Sequence, residues 1–191
     1  MIYLDTNILV SLLVGDSNAA TTREWFSRQF TPLAISAWGI AETYSHIGLR
    51  CRKGEETARN AARIVATFDA LIATNLVLLK SSDTALFRAS SWLRSPDCAL
   101  QAADALHLAI AIENEAAAIA TFDQRFARGI EKLRIAGLKV IALPAAGAPL
   151  KIQQKFADYN VTERDIEKAA KWARKRKAAE REKAPRLTVR G

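Results

Sequence analysis

Cysteine is nearly missing from this 191-residue chain: Cys51 and Cys98 stand far apart, in no metal-like spacing. That excludes a disulfide-stapled scaffold and a thiolate metal site, and both cysteines read as reduced structural thiols. Long apolar runs are missing as well. None reaches the ~18 residues of a membrane span, although half of the residues are apolar, ample for a core. The opening residues lack the basic stretch and small-residue cleavage site of a secretory signal. The expectation is a soluble, cytoplasmic protein without a membrane segment. There is no internal repeat, and the length fits one domain with an appendage.

Net charge is also scarce over the first 150 residues, where fifteen Lys and Arg face fourteen Asp and Glu. Residues 151–191 hold thirteen against six and so carry nearly all of the overall +8. The basic character belongs to the tail, and does not by itself make the domain a binder of nucleic acid.

What is present is an alternation of short apolar runs and longer amphipathic ones. Strands are expected at Ile2–Leu4, Leu33–Ser36, Leu76–Leu79, Ala118–Phe122 and Lys139–Leu143. Helices are expected over 18–30, 38–52, 56–73, 84–93 and 101–115. This order predicts an α/β fold: a three-layer α/β/α sandwich around a five-stranded, mainly parallel sheet. The stretch LPAAGAPLK at 143–151 reads as a joint. The expected division is a domain over 1–143, a linker over 144–150 and a basic tail over 151–191. The tail contains one more helix, with Thr162 as N-cap and Asp165 completing a capping-box-like pattern.

Four carboxylates stand out. Asp5 ends the first strand candidate, and Asp123 ends the apolar AAAIATFD. Glu42 and Asp104 lie in helical stretches just after the second strand and just before the fourth. Each has an ordinary explanation: Asp5, Thr6 or Asn7 as the cap of the first helix, Asp123 as the cap of QRFARGIEKL, Glu42 as a solvated helix residue. Asp104 fits that treatment least, because its helix is apolar almost all round. Ligands of open α/β sheets gather beyond the carboxyl ends of the strands, so one shared site is the expectation.

Clustered acids call for a counter-charge. Two carboxylates about 4 Å apart repel by about 4 kcal/mol at an effective dielectric near 20. An oxygen-only donor set suits Mg²⁺ or Mn²⁺ rather than Zn²⁺. Such an ion can bridge a phosphate oxygen and acidify water, the chemistry of phosphodiester hydrolysis.

YLDTN at 3–7, SAWGIAE at 36–42, AADALHLA at 102–109 and ATFDQRF at 120–126, in this order and spacing, resemble the PIN-domain ribonucleases, specifically VapC-type toxins of bacterial toxin–antitoxin pairs. The resemblance spans roughly residues 1–143. It implies that Asp5, Glu42, Asp104 and Asp123 form an acidic quartet around Mg²⁺, with Asn7 and Thr121 orienting the site or its water. It also implies cleavage of RNA, a tRNA or a ribosomal RNA loop, to leave a 5′-phosphate and a 3′-hydroxyl. A homodimer inhibited by a VapB-type antitoxin belongs to the same expectation. The competing class is a non-catalytic PIN-like module that holds RNA or a protein.

Other features have plainer readings. His46 and His107 share helix faces with Glu42 and Asp104, and are expected in the core or supporting the site rather than in a di-iron bundle. Trp25, Trp38 and Trp92 are expected in the core or a dimer interface. Arg50, Arg52 and Lys53 are either a solvated helix end or a contact to RNA phosphate. In the tail, FADYNVTERDIEKAAKWAR (156–174) resembles the toxin-binding segment of VapB-type antitoxins, with Trp172 as docking anchor. Arg174, Arg176, Arg181, Arg186 or Arg190 would then enter the acidic pocket, and an engineered fusion or a solvated RNA-binding tail are the alternatives. The linker spans at most about 25 Å when extended.

Overall fold

Ile2 and Leu4 enter one apolar cluster while Tyr3, between them, enters the other, and this alternation sets the layers. In the computed structural model the described residues are 1–146. The rest of the linker, the helix expected after Thr162, Trp172 and the tail arginines lie outside them. The described chain runs β1 (Ile2–Leu4), α1 (Thr6–Val14), α2 (Ala19–Ser27), β2 (Leu33–Ser36), α3 (Ala37–Arg52) and α4 (Ala58–Asn75). It continues with β3 (Leu76–Leu79), α5 (Asp83–Leu93), α6 (Ala102–Glu113), β4 (Ala118–Thr121), α7 (Gln124–Leu133) and β5 (Lys139–Ala142).

The five strands form one sheet in the order β3-β2-β1-β4-β5, and every neighbouring pair is parallel. The expectation of a mainly parallel sheet is thus met throughout, because a helix separates each strand from the next. Ile2 pairs with Leu33 on one side and Ala118 on the other, which puts β1 at the centre. On one face Ile2, Leu4, Leu33, Ile35, Ala118 and Ala120 pack with Ile8 and Leu9 of α1 and Phe68 of α4. On the opposite face Tyr3, Ala34 and Ile119 pack with residues of α5, α6 and α7, among them Ala89, Leu108 and Phe126. The result is the three-layer α/β/α sandwich.

Sequence and packing agree in the helices. α6 is apolar nearly all round and is buried over Leu108–Ala111. α1 stops at Gly15, whose φ of +71° is the left-handed conformation that favours glycine after a helix. Trp25, Trp38 and Trp92 are partly buried against the two clusters. Among the described residues no helix is long and apolar enough to cross a membrane.

The order of the strands creates the site. β1 leads into α1 on one face of the sheet, and its neighbour β4 leads into α7 on the other. The chain therefore diverges beyond the carboxyl ends of these two strands, leaving the crevice in which α/β sheets of this kind bind ligands.

Candidate active site

Asp5 stands at the mouth of that crevice. It occupies the N-cap position of α1, yet its side chain caps nothing. Its Oδ2 instead accepts hydrogen bonds from Asn7 Nδ2 at 2.6 Å and Thr121 Oγ1 at 2.6 Å. Thr121 Oγ1 also accepts from Asn7 Nδ2 at 3.0 Å and from the Asp123 backbone N–H at 2.9 Å. One hydroxyl donor and two lone pairs are thereby all used. Asn7 Oδ1 accepts from the Phe122 N–H at 3.0 Å, so side chains 114 to 116 residues apart tie the ends of β1 and β4 together. Asp5 is only 7 % exposed. Burial raises its pKa, against the lowering influence of His107 and the Thr121 hydrogen bond.

Glu42 approaches from the second turn of α3. Its Oε2 accepts from Thr6 Oγ1 at 2.7 Å and lies 2.6 Å from His107 Nε2. Burial pushes its pKa up, but the hydrogen bond and charge of His107, then the Thr6 hydrogen bond, outweigh that and leave it below the ordinary value. Glu42 is thus a half-buried group held by two donors, not a solvated helix residue. His107 also reaches Asp5, with Nε2 3.8 Å from Oδ1. Its Nδ1 lies 2.7 Å from Tyr3 Oη, which lies 2.7 Å from Ser36 Oγ.

The remaining acids combine local and shared roles. Asp123 does cap α7: its Oδ1 accepts from the Arg125 and Phe126 N–H groups at 2.7 and 3.0 Å. Asp104 Oδ2 accepts from the Gln101 N–H at 3.4 Å in a capping box at the start of α6. Burial raises the pKa of Asp104, and the negative charges of Asp5 and Asp123 raise it further, so three carboxylates act on one space.

Of the six residues singled out in the sequence, Asp5, Asn7, Thr121 and Asp123 are hydrogen-bonded at the carboxyl ends of β1 and β4, Glu42 joins Asp5 through Thr6 and His107, and Asp104 is linked to Asp5 and Asp123 by charge alone. His107, expected in the core or supporting the site, and Tyr3, Thr6 and Ser36, to which no site role is assigned from the sequence, are brought by the fold into the same network. The available signal was a single histidine in an otherwise apolar helix. His46 corrects its expectation: it is exposed on α3, neither core nor hydrogen-bonded support, because its side of the helix faces outward while Thr43 and Ile47 face the core. Arg50 pairs with Glu55 at 3.1 Å and Glu56 at 3.8 Å, while Arg52 and Lys53 are exposed.

The donor set suits a hard divalent cation in its chemistry, since it consists of carboxylates that repel one another. Glu42, Asp104 and Asp123 each engage one oxygen with protein donors and keep the other without a partner among the described residues. As they stand, however, no three His, Cys, Asp or Glu side chains among the described residues are close enough to hold one ion.

A family model for the PIN domain matches residues 2–131. The chain is similar in fold to VapC20 of Mycobacterium tuberculosis, a sarcin–ricin loop cleaving toxin. The TM-score is 0.55 at 21 % identity, over 67 % of this chain and 94 % of that one. It is similar to FitAcB of Neisseria gonorrhoeae, with a TM-score of 0.55 at 17 % identity over 74 % and 96 % of the two chains. VapBC2 of Rickettsia felis, bound to a DNA fragment from its promoter, gives 0.51 at 20 % identity over 75 % and 99 %. At these identities the likeness is one of fold. Among curated proteins none matches the chain.

Proposed function

The chain belongs to the PIN-domain family, and from that premise we propose that it is a Mg²⁺-dependent endoribonuclease toxin of a type II toxin–antitoxin pair, with Mn²⁺ as a substitute. The observation that carries this reading is Asp5, a buried carboxylate between two strand ends that shares its field with Asp104 and Asp123. Asp5, Asp104, Asp123 and Glu42 would hold the metal. When bound, the ion supplies charge neutralisation at the scissile phosphate and acidifies a water. Asn7 and Thr121 hold the Asp5 carboxylate in one orientation. Glu42, whose pKa His107 and Thr6 lower, would stay ionised at neutral pH as one of those ligands.

The substrate class is structured RNA, a tRNA or a ribosomal RNA loop of the kind VapC20 cuts, with a 5′-phosphate and a 3′-hydroxyl as products. The described domain has little net charge, so its hold on RNA rests on the metal site rather than on a broadly basic surface. The partner is a VapB-type antitoxin or the chain's own tail, acting on a homodimer. An open groove between α1 and α4, lined by Leu12, Leu13, Ala70 and Leu71, offers apolar surface for such a segment.

The second reading, a PIN-like module that binds RNA or protein without cutting, has one observation in its favour: the acids do not yet converge on a single ion. Incubating the full chain with tRNA and ribosomal RNA, with Mg²⁺ and with chelator, separates the two. Metal-dependent cleavage that maps to defined 5′ ends supports the nuclease. RNA binding without cleavage at any Mg²⁺ or Mn²⁺ concentration supports the module.

A further inference from the structure

α7 is a two-sided helix that begins at the acidic site. Asp123 is its N-cap, and Phe126, Ala127 and Ile130 are buried on its inner side. Gly129 seats that side on the stretch before α6, where a Cβ would come to 2.4 Å from Leu100 Cδ2. The outer side carries Arg125, Arg128 and Lys132, all exposed. At 3.6 residues per turn these three fall within an arc of about 60°, and from first to last they span about 10 Å of helix axis. They form a single file of cations leading away from the site.

Helix stability does not account for this file. The first turn of a helix favours acids, yet that of α7 has none and carries Arg125. Arg125 and Arg128 are three residues apart and Arg128 and Lys132 four, spacings at which like charges oppose the helix. Among the described residues none of the three enters an ion pair, although Glu131 stands exposed next to Lys132. Elsewhere Arg28 and Arg50 are matched by Glu24, Glu55 and Glu56. The first 150 residues hold fifteen Lys and Arg against fourteen Asp and Glu, yet these three cations are kept together without a counter-charge.

We infer that Arg125, Arg128 and Lys132 are a track for the phosphates of an RNA strand, on one side of the bond held at the acidic site. Cations in single file match the regular charges of a nucleic-acid backbone. Their continuity with a phosphodiester site favours RNA over an acidic protein surface, which has no comparable reason to lie there. Such contacts set the register of the strand and carry no sequence information. They act equally in the ground state and the transition state, so they belong to binding and not to the chemical step. The effect on cleavage rests on the nuclease reading, whereas the effect on RNA binding rests on the placement of the cations alone.

The test compares the full native chain with two triple variants. One combines Arg125→Gln, Arg128→Gln and Lys132→Gln. The other combines Arg23→Gln, Arg59→Gln and Arg63→Gln, which removes the same charge from exposed positions of α2 and α4 on the opposite side of the sheet. Binding of a single-stranded RNA of mixed sequence, with chelator present, is measured over a series of KCl concentrations. Each lost phosphate contact lowers the slope of log K against log salt by about 0.7, so the α7 variant should lose about 2 and the α2–α4 variant nothing. With Mg²⁺ present, the α7 variant should raise KM for RNA by about tenfold or more and act on KM rather than kcat, while the α2–α4 variant keeps the native KM. An unchanged slope in the α7 variant would overturn the track and leave the stripe to an acidic protein partner. An equal loss in both variants would overturn it as a general effect of charge. If the slope falls as expected but the native chain cleaves no RNA, the nuclease reading fails and the track stands.

Discussion

Asp5 and Asp123 end strands, whereas Glu42 and Asp104 ride on helices, and the two pairs are held differently. The strand-end acids are bound by groups at the ends of the sheet itself: Asp5 by Asn7 and Thr121, Asp123 by the N–H groups that open α7. Of the helix acids, Glu42 depends on two side chains, Thr6 and His107, and Asp104 has a single long contact to Gln101. Asp123 is fixed by backbone N–H groups that no substitution removes, whereas Asp5 and Glu42 each depend on two side chains that a point mutation can take away. Asp104 is the acid held least.

The sharpest break of this comparison is loss of charge at the site. Asp5→Asn or Asp104→Asn should abolish detectable RNA cleavage with the fold retained. Glu42→Gln, whose amide can still accept from Thr6, should lose less, on the order of a hundredfold. Full activity in either Asn variant, measured by primer extension across the cut, would remove that residue from the site.

Replacing the ion probes how strictly the differently held acids must share one cation. Chelated protein should regain activity with Mg²⁺ or Mn²⁺, and Ca²⁺ should bind without supporting turnover, because its coordination is larger and looser. Protection from thermal unfolding reports binding of each ion separately from cleavage. Cleavage that persists with chelator present would point to acid–base chemistry without a metal.

A smaller effect is expected from the tail, whose arginines could pair with the carboxylate oxygens of Glu42, Asp104 and Asp123 that have no partner among the described residues. Trp172→Ala and removal of residues 151–191 should each raise the cleavage rate several-fold at low Mg²⁺ and less at high Mg²⁺. A short tether makes even micromolar docking effective. Equal rates in all three proteins would leave the tail as an RNA-binding appendage.

The smallest effect is on stability, and here the acids should differ in sign. The pKa of Asp104 is raised in the folded state, so its contribution is greatest below the ordinary 3.8 and is lost as pH rises through the raised value. Glu42 is lowered from 4.5, so its contribution is present at neutral pH and is lost as pH falls through the folded value. In metal-free protein at pH 7, Asp104→Asn should therefore raise Tm and Glu42→Gln should lower it, each by a few degrees. A chain of this size moves roughly 2–4 °C for each kcal/mol. Thermal scans at pH 7 and pH 4 should show both differences shrinking on the acid side.

Much of the fold was legible because periodicity is a local property. IYL, LAIS, LVLL and AIAT each read as strands, and each is a strand, within a residue of its expected end. What periodicity did not reveal is that LVLL would lie at the edge of the sheet. There Val77 and Leu78 remain 42 % and 57 % exposed, because strand order depends on contacts between distant segments. The ordinary explanation of Asp123 as a cap holds, and it leaves the second oxygen for the functional one, since capping engages one oxygen of two. For Asp5 the capping explanation fails, since its carboxylate turns to Asn7 and Thr121.

The two histidines mark the boundary between the levels. Each lies three or four residues after an acid, so helical spacing treats them alike. Only packing distinguishes them: α6 lies buried against the sheet, bringing His107 to Tyr3, Ser36 and Glu42 from positions 65 to 104 residues away in the chain, while His46 faces outward. The sequence by itself determined the alternation of strands and helices, the neutral domain with its basic tail, and the acids at two strand ends, because these follow from neighbouring residues. Tertiary structure alone decided which polar groups meet. A hydrogen bond depends on separation in space, and the sheet joins Asp5 to Thr121 across 116 residues that no local pattern connects.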